Sequence, residues 1–178
     1  IDAWGTVRAF VFLGQRGGAS TIPQQLSKLL FTVRPSDSTW DRIIQKFKEW
    51  IIAIRLERQY TKEEIIAMYL NQYDFGYSAD GIRSASKIYF GKEPQNLKTE
   101  ESAVLVGMLK NSSLYNPIRR EELVSNRRNT VLGQMAKYDF ISEGEKDSLQ
   151  ALRMDINFNP ESHSEGLATY LRMYLQKY

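Results

Sequence analysis

The 178-residue sequence contains no cysteine. Disulfides and thiolate metal sites are therefore excluded, and the redox compartment is left open. It contains one histidine, His163, in a polar stretch with no partner signature, so it reads as solvated rather than as a ligand or base. No apolar run is long enough to span a bilayer, and no stretch reads as a signal peptide. Repeats, low-complexity segments and alternating runs long enough to build a sheet are all missing. Gly17 and Gly18 are not followed by Gly-Lys-Ser/Thr at Walker spacing, so this is not a nucleotide phosphate loop. The chain starts at Ile1 rather than Met and reads as a piece of a longer protein, or as its ordered part.

What is present is ordinary for a soluble globular protein, 42% hydrophobic and 25% charged. The length suits one domain, residues 1–178, with a sizeable core. A net charge of +3 mildly favours anionic partners without choosing among nucleic acid, lipid headgroup and pyrophosphate.

Helical periodicity runs through the chain, so the expected class is all-α with at most one short hairpin. Asp2 can cap a first helix carrying Trp4, Val7, Phe10 and Val11 and ending near Gly14. Val33 to Thr39 reads as a mobile connection. A helix from about Trp40 to Arg58 carries Ile43, Ile44, Phe47, Trp50, Ile51 and Ile54 on one face and Ile52, Ala53 and Leu56 on much of the other. Such a helix is expected to be buried nearly all round. Thr61 with Glu64, and Ser142 with Glu145, form capping boxes. Helices are also expected through Asn71, near Gly81–Ile88, from Thr99 to Lys110, and from about Ile118 to Lys137. An irregular stretch covers Asp155 to Ser164, and a final helix runs from Glu165 to Tyr178.

The chemistry concentrates between Arg16 and Phe31. Gly17 and Gly18 let a ligand approach the backbone closely. Thr21 and Gln24 make a capping-box pattern, and Pro23 sits in the first turn, where a missing N–H costs little. The free N–H groups of a helix start attract anions, and Lys28 adds a full charge. Gln24, Gln25 and Lys28 are expected on one side, with Ile22, Leu26, Leu29 and Leu30 packing on the other. The stretch is either a substrate-holding loop or an ordinary capped helix after a glycine turn. Glu49 projects toward Gln45, Ala53 and Leu56, where a buried carboxylate needs a partner. It is either half of an ion pair or a functional acid lining a cleft. Lys110, closing an apolar helix, is either a helix-dipole partner or a charge aimed into a cleft.

Four separated stretches together resemble the glycosyltransferase family 51 domain, the peptidoglycan transglycosylase of class A penicillin-binding proteins and monofunctional transglycosylases. They are the run Gly17 to Lys28; Gln45-Lys46-Phe47-Lys48-Glu49 with its continuation Leu56-Glu57-Arg58 and Ile65 to Asn71; Gly107 to Lys110 through Tyr115-Asn116-Pro117; and Arg127 to Leu132. The resemblance covers nearly the whole chain in family order. Three positions depart from the pattern: Gln45 stands for the usual Arg, Leu29 for the usual Asn, and Pro23 for the usual Thr. Arg42, one turn before Gln45, is a candidate substitute for the missing cation. The family's first motif, which carries the proposed base, is expected immediately before Ile1, so a protein beginning there is expected to be inactive alone.

The resemblance implies a lysozyme-like transglycosylase lobe that joins lipid II disaccharides into glycan strands, inverting the anomeric carbon and releasing undecaprenyl pyrophosphate. It implies Glu49 as the catalytic acidic residue in hand. It further implies that Gly18, Ser20, Thr21, Gln24, Gln25, Lys28, Lys46, Lys110, Arg127 and Asn129 bind substrate, and that Glu49, Lys28 and Lys110 line one groove. No cofactor is firmly implied, although a divalent cation (Mg or Mn) could serve the pyrophosphate. Implied partners are lipid II, the growing glycan strand, a membrane surface and a transpeptidase domain of the full-length chain, not nucleic acid; the implied location is the periplasmic face of a bacterial inner membrane. A lysozyme-like glycan-cleaving enzyme and a non-catalytic glycan- or lipid-pyrophosphate-binding module are the rival readings.

Overall fold

The computed structural model describes residues 20–31 and 39–160. The expected first helix, the Gly17-Gly18 loop, the connection over 33–38, His163 and the expected final helix lie outside the described residues.

Seven α-helices and one 3-10 turn make up the regular structure among the described residues: α1 (Ile22–Phe31), α2 (Thr39–Gln59), α3 (Lys62–Gln72), α4 (Gly81–Phe90), the 3-10 turn Pro94–Asn96, α5 (Thr99–Met108), α6 (Glu121–Lys137) and α7 (Glu143–Ala151). No strand occurs among the described residues; the place of the expected hairpin is taken by one isolated bridge, Asp74 to Asp80. The all-α expectation therefore holds. The chain divides into two compact units, Ile1–Tyr73 and Asp74–Tyr178.

In the first unit α1 packs on α2 and α3. Its core is Leu26, Ala53, Leu56, Ile65 and Tyr69. Thr61 caps α3 as its sequence predicts: its hydroxyl accepts from Glu64 N, and the Glu64 carboxylate accepts from Thr61 N at 2.8 Å. Two packing expectations need correction. The buried face of α1 is Gln24, Leu26 and Ser27, whereas Ile22, Leu29 and Leu30 are exposed. Nor is α2 buried all round: Glu49, Ala53 and Leu56 form its buried side, while Trp40, Ile44, Phe47, Trp50 and Ile51 face outward. Among the described residues of this unit α1 and α3 pack on α2, and apolar composition cannot reveal how many neighbours a helix has.

The second unit is built on α5, whose Ala103, Val104, Leu105 and Met108 are buried as the apolar run predicts. It packs on α4 and α6, and α6 packs on α7. Glu101 ties the start of α5 by accepting from Lys98 N at 2.9 Å and pairing with Lys92 Nζ at 2.6 Å. The turn before α4 places Gly76, Tyr77 and Ser78 consecutively at positive φ. The Asp74 carboxylate, accepting from Gly76 N, and the Phe75 N to Ala79 O bond hold it there. The start of α6 is Glu121 rather than Ile118, because Asn116 Oδ1 accepts from Ile118 N and Arg119 N and so closes a separate turn after Pro117. Ser142 caps α7 in the box predicted for it.

Candidate functional site

In the first unit the site residues cluster at the start of α1 and on the buried side of α2. Gln24 completes half of the expected capping box: its Oε1 accepts from Thr21 N at 3.3 Å. The other half is missing, because Thr21 Oγ1 is buried without a hydrogen-bond partner. Gln25 is a bridge. Its Nε2 donates to Ser20 O at 3.1 Å, and its Oε1 accepts from Tyr69 Oη at 2.9 Å. The two glutamines read as sugar ligands thus fix the helix entry and anchor it to α3. Tyr69 is a member of this cluster that the sequence did not single out. Burial and the neighbouring Tyr73 push its phenol above the ordinary value, so it stays a donor at neutral pH. Ser27 Oγ is a second buried hydroxyl without a partner on α1. Lys28, one residue on, is exposed.

Glu49 is buried, with 4% of its surface exposed. Gln45 Nε2 donates to one carboxylate oxygen at 3.0 Å, and Lys46 Nζ pairs with the other at 2.6 Å. The ion-pair reading therefore holds with Lys46 as partner, not Lys28. The Lys46 side chain is 58% exposed, so the pair has one buried end and one end in water. Gln45, which stands where the family pattern has arginine, still supplies an N–H donor to Glu49. No group of three or more His, Cys, Asp or Glu side chains that could hold a metal ion occurs among the described residues.

In the second unit, Lys110 and Arg127 gather around one ring. Lys110 Nζ lies 5.8 Å and Arg127 Cζ 5.7 Å from the centroid of Tyr115. Cations over an aromatic face gain from its quadrupole, and the ring holds two like charges near each other without neutralising either. Arg127 Nε is buried and has no hydrogen-bond partner. A positively charged pair with donor capacity in reserve suits an anion. Tyr115 was legible only as part of a motif, since nothing in a loop tyrosine announces that two cations flank it. Asn129 turns its Oδ1 to Arg128, accepting from Nε at 3.1 Å and Nη2 at 3.0 Å, and its backbone carbonyl accepts from Gln150 Nε2. It is engaged within the fold.

The transglycosylase family model matches residues 1–136. Penicillin-binding protein 1F of Bacillus subtilis (strain 168) is 37% identical over 164 residues, 92% of this chain and 22% of that protein. Penicillin-binding protein 1A of Escherichia coli (strain K12) is 36% identical over 163 residues, 89% of this chain and 19% of its own length. The crystal structure of penicillin-binding protein 1A from Haemophilus influenzae shares the fold, with a TM-score of 0.50 and 24% identity over 88% of this chain and 19% of that one. The chain spans about a fifth of the length of these relatives. With the family model matching three quarters of its residues, the chain belongs to the transglycosylase family.

Proposed function

We propose that the chain is the glycosyltransferase module of a peptidoglycan polymerase, joining lipid II disaccharide units into glycan strands with inversion at the anomeric carbon and release of undecaprenyl pyrophosphate. The observation that carries this reading is the buried Glu49 carboxylate held by Gln45 and Lys46 on α2 of a transglycosylase-family chain. In the reaction, the acceptor sugar hydroxyl gives its proton to a general base. Its oxygen attacks the anomeric carbon as the bond to pyrophosphate breaks, and the pyrophosphate leaves with the electron pair. Charge grows on that leaving group, so fixed cations and N–H dipoles stabilise the transition state more than the ground state. Lys28 and Lys46 are the cations we assign to the first unit's anion site; Lys110 and Arg127, gathered at Tyr115, are assigned separately as an anion-binding pair of the second unit. Glu49 orients Lys46; Ser20, Thr21 and Gln24, with Gly18, line the donor site.

The donor carries a lipid chain, so the module works at a membrane surface. No helix among the described residues is long and apolar enough to cross a membrane. The outward stripe Trp40, Ile44, Phe47 and Ile51 on α2 is the surface we assign to lipid contact. The class A relatives support placing the full-length protein on the periplasmic face of the inner membrane, with a transpeptidase domain in the same chain.

The test is the fate of two substrates given to the full-length protein. Consumption of lipid-linked disaccharide with growth of glycan strands is expected. Cleavage of finished glycan with the precursor untouched would replace this reading by the hydrolase, and binding of both without turnover by the full-length protein would replace it by the binding module.

A further inference from the structure

Arg128 is among the most buried side chains, 1% exposed, yet among the described residues no carboxylate bonds to it. Its guanidinium donates to neutral oxygens: Nη1 to Leu152 O at 2.8 Å, Nη2 to Gln150 O at 3.0 Å, and both Nε and Nη2 to Asn129 Oδ1. Desolvation lowers its proton affinity and the charge of Glu100 opposes that, while neutral oxygens accept from its guanidinium. Two of these acceptors are backbone carbonyls at the end of α7 and just beyond, past the 1–136 segment that defines the family.

From there residues 152–159 run as a strap without regular structure. Phe158 packs its ring 5.0 Å from that of Tyr77 and 6.0 Å from that of Tyr89. Asn159 N donates to Ile88 O at 2.7 Å. Asn157 lies against Gly91, whose positive φ and missing side chain leave room for it. The strap is thus fastened to α4 at one end and, through Arg128, to α6 at the other.

Arg127 is the next residue on α6. Its Cγ lies 3.0 Å from where a β-carbon on Gly107 would stand, so α6 meets α5 at this point with no slack. A small rotation of α6 about its axis would move the Arg127 guanidinium away from Tyr115 and Lys110. We propose that Arg128, bolted to the 150–159 strap, is a positioning residue: it fixes the rotation of α6 and thereby places Arg127 against its anion. This rests on the donor-pyrophosphate reading above for the identity of the anion.

The experiment is a double-mutant cycle in the full-length protein, using Arg127→Ala, Arg128→Lys and both together. Inorganic pyrophosphate affinity is read by calorimetry and KM against kcat on lipid-linked disaccharide by kinetics. Lysine keeps the charge and cannot reach both carbonyls and Asn129. Phe158→Ala, which loosens the far end of the strap, serves as a second variant should Arg128→Lys fail to fold. Arg127→Ala is expected to weaken pyrophosphate about tenfold, as for loss of a charged hydrogen bond. Arg128→Lys or Phe158→Ala should raise KM and weaken pyrophosphate in the same direction, with kcat changing less. Neither should add anything in the Arg127→Ala background. Additive effects, or a lowered melting temperature with unchanged affinity in the folded protein, would overturn the proposal. Pyrophosphate binding that follows this pattern without polymerisation would overturn the functional reading and leave the positioning role standing. Absence of both binding and turnover in the unsubstituted protein would overturn the positioning role too, since Arg127 would then have nothing to be placed against.

Discussion

Two donors on its own helix hold the Glu49 carboxylate, and they differ in what they contribute. Gln45 gives a neutral hydrogen bond, and Lys46 a charge whose stem and head stay largely in water. Replacing the carboxylate by an amide keeps the volume beneath α1 and leaves Lys46 solvated, so the fold should lose little, within about 1 kcal/mol. The charge that orients Lys46 disappears. Glu49→Gln in the full-length protein is therefore expected to lower polymerisation by about a hundredfold or more, the size seen when a fixed electrostatic partner of a developing charge is removed. Near-normal turnover by a folded variant, checked by circular dichroism and thermal melting, would remove Glu49 from the mechanism. Gly107 offers a complementary test at the other cation site. In a helix, glycine to alanine alone stabilises by up to about 1 kcal/mol, but the new methyl would press on Arg127 Cγ at 3.0 Å. Gly107→Ala should lower the melting temperature, since overpacking a contact without slack costs about 1–3 kcal/mol, and should also weaken pyrophosphate. Weakening of neither property would show that Arg127 moves aside freely. The direction of Glu49 was legible because helical spacing alone puts it with Ala53 and Leu56. The bond of Gln24 to Thr21 N was legible as half of a capping box; those of Gln25 were not, because a glutamine facing a sugar and a glutamine facing Tyr69 look alike in sequence.

The helices themselves were legible wherever a cap announced them. Thr61 and Ser142 are the clear cases, each with a glutamate three residues on that returns the bond. Where the start is set by a side chain from outside the helix, as Asn116 sets the turn before α6, the periodic pattern runs three residues too far. Thr61→Ala should cost about 1 kcal/mol, lowering the melting temperature by about 2–4 °C in a protein of this size; no change would mean that α3 is held by Ile65 and Tyr69 alone. The end of α4 carries a pH-dependent counterpart. Glu93 accepts from Arg83 and pairs with Lys87, and these two, Arg83 first, hold its carboxyl down to about 2 from 4.5. A depressed carboxylate contributes stability above its unfolded value and loses it as pH falls through the folded one. Arg83, whose own value is raised by Glu93, stays charged throughout that range. The part of acid destabilisation occurring between about pH 4.5 and 2 should thus be smaller in Glu93→Gln than in the unsubstituted protein, as read from melting temperature against pH. Parallel curves would show that the exposed pair is screened to irrelevance.

At the scale of the whole molecule, the largest misreading of the sequence carries information. Trp40 is 75%, Ile44 51%, Phe47 48% and Ile51 54% exposed, spaced along one side of α2, while the buried side of the same helix is built from Glu49, Ala53 and Leu56. An apolar stripe of this length in water is unfavourable, and on a membrane surface it would gain about 1 kcal/mol for each half-exposed side chain that leaves water. Basic residues Arg42, Lys46 and Lys48 lie on the same part of the helix, and the chain carries a net charge of +3. Apolar insertion and attraction to anionic headgroups should then act together, as for other interfacial helices. We expect the protein to sediment with anionic vesicles and to lose part of that binding as salt is raised, since screening contracts the range of the charge term from about 10 Å at 0.1 M to about 3 Å at 1 M. The part that survives salt should come from the stripe. Phe47→Glu with Ile51→Glu should remove it, weakening binding about tenfold or more through lost insertion and reversed charge, while the melting temperature stays unchanged because neither side chain is in the core. Vesicle binding that the double substitution leaves intact would place the lipid contact elsewhere on the molecule, and binding insensitive to salt would remove the electrostatic half of the argument.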